Sequence, residues 1–190
     1  VKSKAKEVVP TQQHQLTTIE SNIPHKPLKY VFVIPSYNNE PYYRKNLDSV
    51  VSQTYTNWRI IYVDDASTDR TYELVQKYIQ EKGIKDKVKL IRNDKNYKQA
   101  YSRYVALKEC DDDEICCFVD GDDWLYDTRV LEKTNQIYMK GNVELTYGGM
   151  HKFVNGKTGS KCVSKSFSSD VIKNNSYRKQ PWSVLPFRTG

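Results

Sequence analysis

Apolar segments alternate with amphipathic segments four times between residues 30 and 150, and this rhythm limits the possible folds more than any other feature of the chain. The apolar segments carry β-branched and aromatic residues on consecutive positions, which is typical of strands covered on both faces. We predict strands at YVFVI (30–34), WRIIYV (58–63), KVKLIRN (87–93), EICCFV (114–119) and VELTYGG (143–149), and helices at EPYYRKNLDSVVSQT (40–54), RTYELVQKYIQEKG (70–83), YKQAYSRYVALKEC (97–110) and TRVLEKTNQIYMKG (128–141). This order predicts an α/β fold with a mostly parallel sheet flanked by helices.

Local signals refine these elements. Pro41 stands where the first residue of a helix is expected, and Gly83 is placed to end the second helix. Beyond Gly148 the rhythm stops, and the pair Asn155–Gly156 predicts the turn of a short hairpin before an irregular C-terminal part.

Length and composition give the domain plan. A chain of 190 residues corresponds to about one domain. Residues 1–29 are polar and contain three prolines, so we predict a linker or arm there and one α/β domain over residues 30–190. No apolar stretch approaches the roughly 18 residues of a membrane-spanning helix, and we predict no integral membrane segment.

The charge is unevenly distributed. Residues 1–29 carry five Lys against two Glu, and residues 152–190 carry eight Lys or Arg against Asp170 alone, so the middle of a chain with net charge +7 is acidic. An acidic body with a basic tail fits an enzyme that holds a metal and an anionic substrate. Nucleic-acid binding would also explain the tail, but no recognition motif supports it, and we predict no nucleic-acid partner.

The four cysteines form no CxxC pair and no zinc spacing. Cys116 and Cys117 lie side by side in a predicted buried strand, where free Cys behaves as a small hydrophobe. Structural thiols of this kind indicate a reducing, cytoplasmic environment.

Polar clusters follow three of the predicted strands: PSYNNE after the first, DDASTD after the second and DGDDW after the fourth. Parallel strands bring these clusters to one edge of the sheet, where open α/β sheets bind ligands. In DDASTD, residues 67–69 can cap the next helix, so Asp64 and Asp65 are not needed for capping. We expect one of these two carboxylates to accept hydrogen bonds from a ligand.

The acidic cluster after the fourth strand has the spacing D-x-D at Asp120 and Asp122. Gly121 between them permits an unusual backbone angle or a close ligand approach. A hard cation, Mg²⁺ or Mn²⁺, would neutralise the repulsion between the carboxylates and needs only one or two of them plus substrate phosphates. The alternatives are a solvated acidic loop, or Asp123 as the N-cap of a helix that follows.

Together, YVFVIPSYNNE, WRIIYVDDASTDRT and CCFVDGDDWL resemble the family-2 glycosyltransferases of the GT-A fold, over about residues 30 to 150. The resemblance implies a Rossmann-like nucleotide-binding sheet. It implies that the first loop frames the nucleotide base, that the acidic pair after the second strand binds base or ribose, that Asp120 contacts ribose or metal, and that Asp122 ligates Mn²⁺ or Mg²⁺. The residues concerned in the first two loops are Pro35, Ser36, Tyr37, Asn38, Asp64 and Asp65, with Gly121 beside the metal ligands.

The third helix follows the family pattern only in part. Asn96 and Arg103 match, whereas Lys98 stands in place of a glycine and Tyr104 in place of an asparagine. Arg103 therefore either approaches the nucleotide or forms a surface salt bridge, and the sequence leaves both open.

The resemblance implies inverting, metal-dependent transfer of a sugar from a nucleoside-diphosphate sugar, most plausibly a UDP-sugar, to an acceptor hydroxyl of a glycan, protein or lipid. Such a reaction needs a carboxylate base, and Asp170 is the candidate. Because no other base is evident, we expect the domain to be incomplete at its C-terminal end, and a non-catalytic sugar-nucleotide binding module is the alternative. A nucleotidyltransferase fits less well, since PSYNNE lacks the glycine-rich phosphate loop.

Overall fold

The computed structural model describes residues 27–141, 143–154, 157–162, 170, 173–174 and 188–189. The predicted arm over residues 1–29 therefore lies almost wholly outside the described residues. In chain order the elements are β1 (Lys29–Ser36), α1 (Tyr43–Val51), β2 (Trp58–Asp64), α2 (Thr71–Glu81), a 3-10 turn (Lys85–Lys87), β3 (Val88–Arg92), α3 (Gln99–Leu107), β4 (Glu114–Phe118), α4 (Val130–Tyr138), β5 (Thr146–Tyr147), β6 (Met150–Val154), β7 (Lys157–Cys162) and β8 (Arg188–Thr189).

The main sheet has the strand order β3-β2-β1-β4-β8-β5. Strands β1, β2, β3 and β4 pair in parallel, whereas β8 runs antiparallel to both β4 and β5. The strand order reverses direction between β1 and β4, which creates a topological switch point. The predicted α/β sheet is confirmed, and its fifth strand is reduced to two residues, which among the described residues pair with β8.

Both faces of β1 and β2 are buried, which explains their unbroken apolar sequences. Tyr30, Phe32 and Ile34 pack with residues of α1, α2 and α4 on one face. Val31 and Val33 pack on the other face with Ala106 of α3. Each fully buried side chain of this size stabilises the fold by about 1.5–3 kcal/mol, so the sheet centre is rigid and its strand ends are fixed points for the loops.

The end of α2 agrees with the sequence-based prediction, and the start of α1 does not. Gly83 follows α2 with a φ of 63°, and hydrogen bonds from Gly83 N to Gln80 O and from Ile84 N to Ile79 O close the helix end. Pro41 lies in the turn before α1 and not in its first position, since α1 begins at Tyr43.

The C-terminal part contains the predicted hairpin. Strands β6 and β7 pair antiparallel on either side of residues 155 and 156, and the two turn residues themselves lie outside the described residues. Within the described part of the chain, no helix is both long enough and apolar enough to cross a membrane.

Candidate active site

The loops that follow β1, β2 and β4 meet at one edge of the sheet, as the sequence predicts. Backbone hydrogen bonds join them: Asp65 N donates to Ser36 O over 2.8 Å, and Gly121 N donates to Pro35 O over 3.0 Å. A pocket of about 230 Å³ opens there. The described residues that line it are Pro35, Ser36, Tyr37, Asn39, Asp65, Asn96, Lys98, Gln99, Ser102, Asp120 and Asp122.

Asp65 joins the second loop to the start of α3. Its Oδ1 accepts hydrogen bonds from Asn93 Nδ2 (2.7 Å) and Tyr97 N (3.0 Å), and its Oδ2 accepts one from Lys98 N (2.7 Å). Burial pushes the pKa of Asp65 upward, but these hydrogen bonds hold the pKa below its ordinary value. The Ser102 side chain also hydrogen-bonds Asp65 and lowers its pKa, so protein donors already fill nearly all of the roughly four acceptor positions of a carboxylate.

Asp64 has different surroundings from Asp65, its neighbour in the predicted acidic pair. Its side chain is fully buried and accepts a hydrogen bond from Ser67 N over 3.1 Å, with the guanidinium of Arg92 3.4 Å away. Burial raises the pKa of Asp64 despite these contacts. Asp64 is not among the described residues that line the pocket, and its contact with the nucleotide stays a prediction.

Asn38 joins the first loop to the second. Its φ of 53° is in the left-handed region that Asn tolerates, and its Oδ1 accepts a hydrogen bond from Thr68 N over 2.8 Å. Its own backbone N donates to Ser67 Oγ over 3.0 Å. Asn38 is exposed and not among the described pocket-lining residues, so its contacts position the loop that carries Tyr37.

Glycine is required at position 121 because the acidic loop packs closely against side chains of the first loop. A Cβ atom at this position would lie 2.5 Å from Asn39 Nδ2 and 2.6 Å from Ser36 Oγ. Those two side chains are hydrogen-bonded to each other over 3.0 Å, and Ser36 Oγ also accepts a hydrogen bond from Tyr62 OH over 2.8 Å. Only glycine lets the acidic loop pack this closely against the first loop.

The acidic loop, residues 120–123, carries the predicted metal ligands. Asp120 Oδ1 accepts a hydrogen bond from Arg103 Nη2 over 2.6 Å, so Arg103 forms an ion pair with Asp120. Asp122 is exposed and lines the pocket with Asp120. Burial, and then repulsion from Asp122 and Asp120, raises the pKa of Asp123 to about 6. Asp123 does not cap a helix, because α4 begins only at Val130.

This arrangement fits a divalent cation whose remaining coordination positions are filled by the substrate. Among the described residues, no group of three or more His, Cys, Asp or Glu side chains could hold a metal unaided. Two carboxylates, Asp120 and Asp122, line the same pocket. One or two carboxylates plus substrate phosphates are the usual donor set for Mg²⁺, and the residues present therefore fit such an ion.

Sequence reasoning missed several pocket residues. Lys98 has φ 75° and ψ 166°, a combination adopted almost only by glycine. The signal was present, since Lys98 stands where the resembling family has glycine. Gln99 and Ser102 gave no such signal, and they reach the pocket because α3 begins beside Asp65.

Asp170, the candidate base, is described only as an exposed residue whose carbonyl accepts a hydrogen bond from Asn174 N. It is not among the described residues that line the pocket. Its catalytic role stays a prediction.

Comparison with known proteins gives a consistent result. The model of the family described as glycosyl transferase family 2 matches residues 31–184. An Escherichia coli UDP-Glc:alpha-D-GlcNAc-diphosphoundecaprenol beta-1,3-glucosyltransferase is 30% identical over 75% of this chain and 54% of that protein. The chain spans about half the length of the curated relatives it matches.

Solved structures of Staphylococcus aureus TarS, residues 1–349, are also similar. The complex with UDP has a TM-score of 0.59 at 28% identity and covers 68% of this chain and 37% of that chain. The complex with UDP-GlcNAc has a TM-score of 0.59 at 29% identity, covering 68% and 36% of the two chains.

Proposed function

This chain belongs to glycosyl transferase family 2, and from that membership we propose that it transfers a sugar from a UDP-sugar to an acceptor hydroxyl with a bound Mn²⁺ or Mg²⁺. The observation that carries the proposal is the composition of one pocket. Asp65 and Tyr37 line it together with Asp120 and Asp122, at the carboxyl ends of β1, β2 and β4. A pocket at the switch point of an open parallel sheet is where a nucleotide binds.

The nucleoside end of the donor is assigned to the first and second loops. Tyr37 lines the pocket and is 43% exposed, and we assign its ring to stacking on the base. Asp65 also lines the pocket, and it is our candidate to accept a hydrogen bond from an N–H of the base or a hydroxyl of the ribose. UDP is favoured because two similar structures are complexes with UDP and UDP-GlcNAc and one relative is named for UDP-Glc.

The diphosphate end of the donor is assigned to the acidic loop. Asp120 and Asp122 would hold the divalent ion, which when bound supplies Lewis-acid stabilisation of the departing diphosphate. Arg103 orients the carboxylate of Asp120 through their 2.6 Å contact. Because Asp122 is exposed, its carboxylate is accessible to an ion arriving with the nucleotide.

Transfer with inversion requires a base for the acceptor hydroxyl. The hydroxyl oxygen bonds to the anomeric carbon, the bond from that carbon to the diphosphate oxygen breaks, and the hydroxyl proton passes to a carboxylate. Asp170 is our candidate for that carboxylate. An Asp170→Asn variant would then bind UDP normally and lose turnover, whereas unchanged turnover would remove Asp170 from the mechanism.

Calorimetric titration of UDP and GDP, with Mn²⁺ or with chelator, tests the donor site. We expect UDP to bind more tightly with Mn²⁺, and Asp122→Asn to abolish that gain. Asp86→Asn is the matched control, because Asp86 is exposed and lies before β3, at the opposite edge of the sheet. Unchanged Mn²⁺-dependent affinity in folded Asp122→Asn would contradict the metal assignment. Release of UDP from UDP-GlcNAc would separate a transferase from a module that only binds.

A further inference from the structure

A line of polar side chains on and just after α1 holds the chain segment that contains the acidic loop. These residues, Asn46, Ser49 and Gln53, are called here the α1 seam. Asn46 is fully buried and Gln53 is 4% exposed. Long polar side chains are seldom buried this deeply unless they are hydrogen-bonded, so their partners indicate what they do.

All the partners across the seam are backbone groups of residues 120–131. Asn46 Nδ2 donates to Asp120 O (3.0 Å) and Asp123 O (2.7 Å). Farther along, Leu125 N donates to Ser49 Oγ over 3.0 Å. Gln53 Nε2 donates to Asp127 O over 2.8 Å, and Leu131 N donates to Gln53 Oε1 over 3.0 Å.

The two ends of the seam hold different parts of this segment. Asn46 binds the carbonyls at both ends of the acidic loop, whose turn is closed by a 2.9 Å hydrogen bond from Asp123 N to Asp120 O. Gln53 instead binds the approach to α4 and its first turn. Asn46 therefore fixes the backbone on either side of Asp122, and Gln53 does not.

The position of Asn46 carries an energetic penalty. Its Oδ1 is buried without a hydrogen-bond partner among the described residues, and leaving such an atom unsatisfied costs about 1–3 kcal/mol. In return, one NH₂ group satisfies two loop carbonyls. The arrangement fixes the acidic loop at the expense of one unsatisfied atom.

We propose that Asn46 is a positioning residue for metal-dependent donor binding: it sets the direction in which Asp120 and Asp122 present their carboxylates to the pocket. Asn46 is not among the described residues that line the pocket, so it acts through the loop backbone. This inference rests on the proposed function, since it concerns the same donor site. Metal coordination depends closely on the positions of the ligating atoms. Loosening the backbone of the loop that carries those atoms therefore weakens binding of the ion more than it weakens contacts made elsewhere in the pocket.

The test compares Asn46→Ala with Gln53→Ala, two variants that each lose hydrogen bonds to the same segment. UDP affinity is measured by calorimetry with Mn²⁺ and with chelator. We expect Asn46→Ala to lose at least about tenfold of the Mn²⁺-dependent gain in affinity, a typical effect for groups that support a metal ligand. Affinity in chelator should stay within about twofold of wild type. Gln53→Ala should keep the full gain. If Asn46→Ala does not fold, Asn46→Ser replaces it and should shift the gain in the same direction.

Two results would overturn the inference: a full Mn²⁺-dependent gain in folded Asn46→Ala, or an equal loss in both variants, which would show only general anchoring. Amide hydrogen exchange without ligand gives an independent readout. It should accelerate at residues 121–123 in Asn46→Ala and at residues 127–131 in Gln53→Ala, and the same pattern in both variants contradicts the inference. If wild-type protein binds no nucleotide, the proposed function fails and this inference fails with it; if wild-type protein binds UDP with a Mn²⁺-dependent gain, the two variants test the inference alone.

Discussion

Lys98→Gly should stabilise the protein. Lys98 has φ 75° and ψ 166°, and a non-glycine residue held in this region is strained by about 1–3 kcal/mol. The conformation is imposed by Asp65, whose Oδ2 accepts the Lys98 N–H over 2.7 Å. Glycine removes the strain but adds freedom to the unfolded chain, which costs about 0.4–1 kcal/mol. We therefore expect the free energy of unfolding to rise by about 1 kcal/mol.

The assay is urea unfolding together with thermal melting. A gain of about 1 kcal/mol corresponds to a rise in Tm of roughly 2–4 °C for a chain of this size. Lys98→Ala is the first control, since alanine removes the charged side chain and keeps the Cβ atom that causes the strain. Lys98→Ala should match wild-type stability, and Lys98→Gly should exceed both.

A second control is needed because Lys98 is also the N-cap of α3, a position where glycine is intrinsically better than alanine. Arg129 is the N-cap of α4 with an ordinary φ of −111°. The difference between Arg129→Gly and Arg129→Ala measures the capping preference alone. The reasoning is refuted if the Gly–Ala difference at Lys98 is no larger than the difference at Arg129.

Two further predictions concern packing and pH. Gly121→Ala should destabilise the protein by about 1–3 kcal/mol and weaken UDP binding, because the new Cβ would meet Asn39 and Ser36 at 2.5–2.6 Å; equal melting temperatures and affinities would contradict this. Glu114 accepts two hydrogen bonds from Arg59, at 2.5 and 2.7 Å. Burial pushes the pKa of Glu114 upward, but the guanidinium of Arg59 holds the pKa below its usual value. Its contribution to stability is therefore complete above the ordinary Glu pKa of about 4.3 and is lost as the pH falls through the lowered pKa. Glu114→Gln should cost about 2 kcal/mol at pH 7, and denaturant melts should show the gap to wild type closing in acid; a constant gap would count against the ion pair.

The sheet could be predicted because β1 and β2 are buried on both faces, so their burial appears directly as consecutive apolar residues such as Val31, Phe32 and Val33. The start of α3 could not be predicted as well. The helical pattern extends back to Tyr97, but α3 begins at Gln99 because Asp65 binds the amides of Tyr97 and Lys98. Contacts between residues 32 and 33 positions apart cannot be read from a local sequence pattern.

The candidate site was likewise predictable only in part. Clusters at strand ends predicted which loops meet, because parallel strands bring their carboxyl ends together. The different surroundings of Asp64 and Asp65 were not predictable, since β2 ends at Asp64 and the sequence does not say where the strand gives way to the loop. Asn46 was missed for a related reason. Its partners, the carbonyls of Asp120 and Asp123, are backbone atoms 74 and 77 residues away, and every residue type carries them.

Because the α1 seam holds residues 120–131 through main-chain atoms, it places few demands on which side chains that segment carries. Exposed side chains of the segment, such as those of Tyr126 and Thr128, can therefore change in evolution or in a library without loss of these hydrogen bonds. Other positions are constrained for separate reasons: Asp120 and Asp122 are the proposed metal ligands, and Leu125 and Leu131 pack in the core. Gly121 is constrained by its position against Ser36 and Asn39, which leaves no room for a side chain.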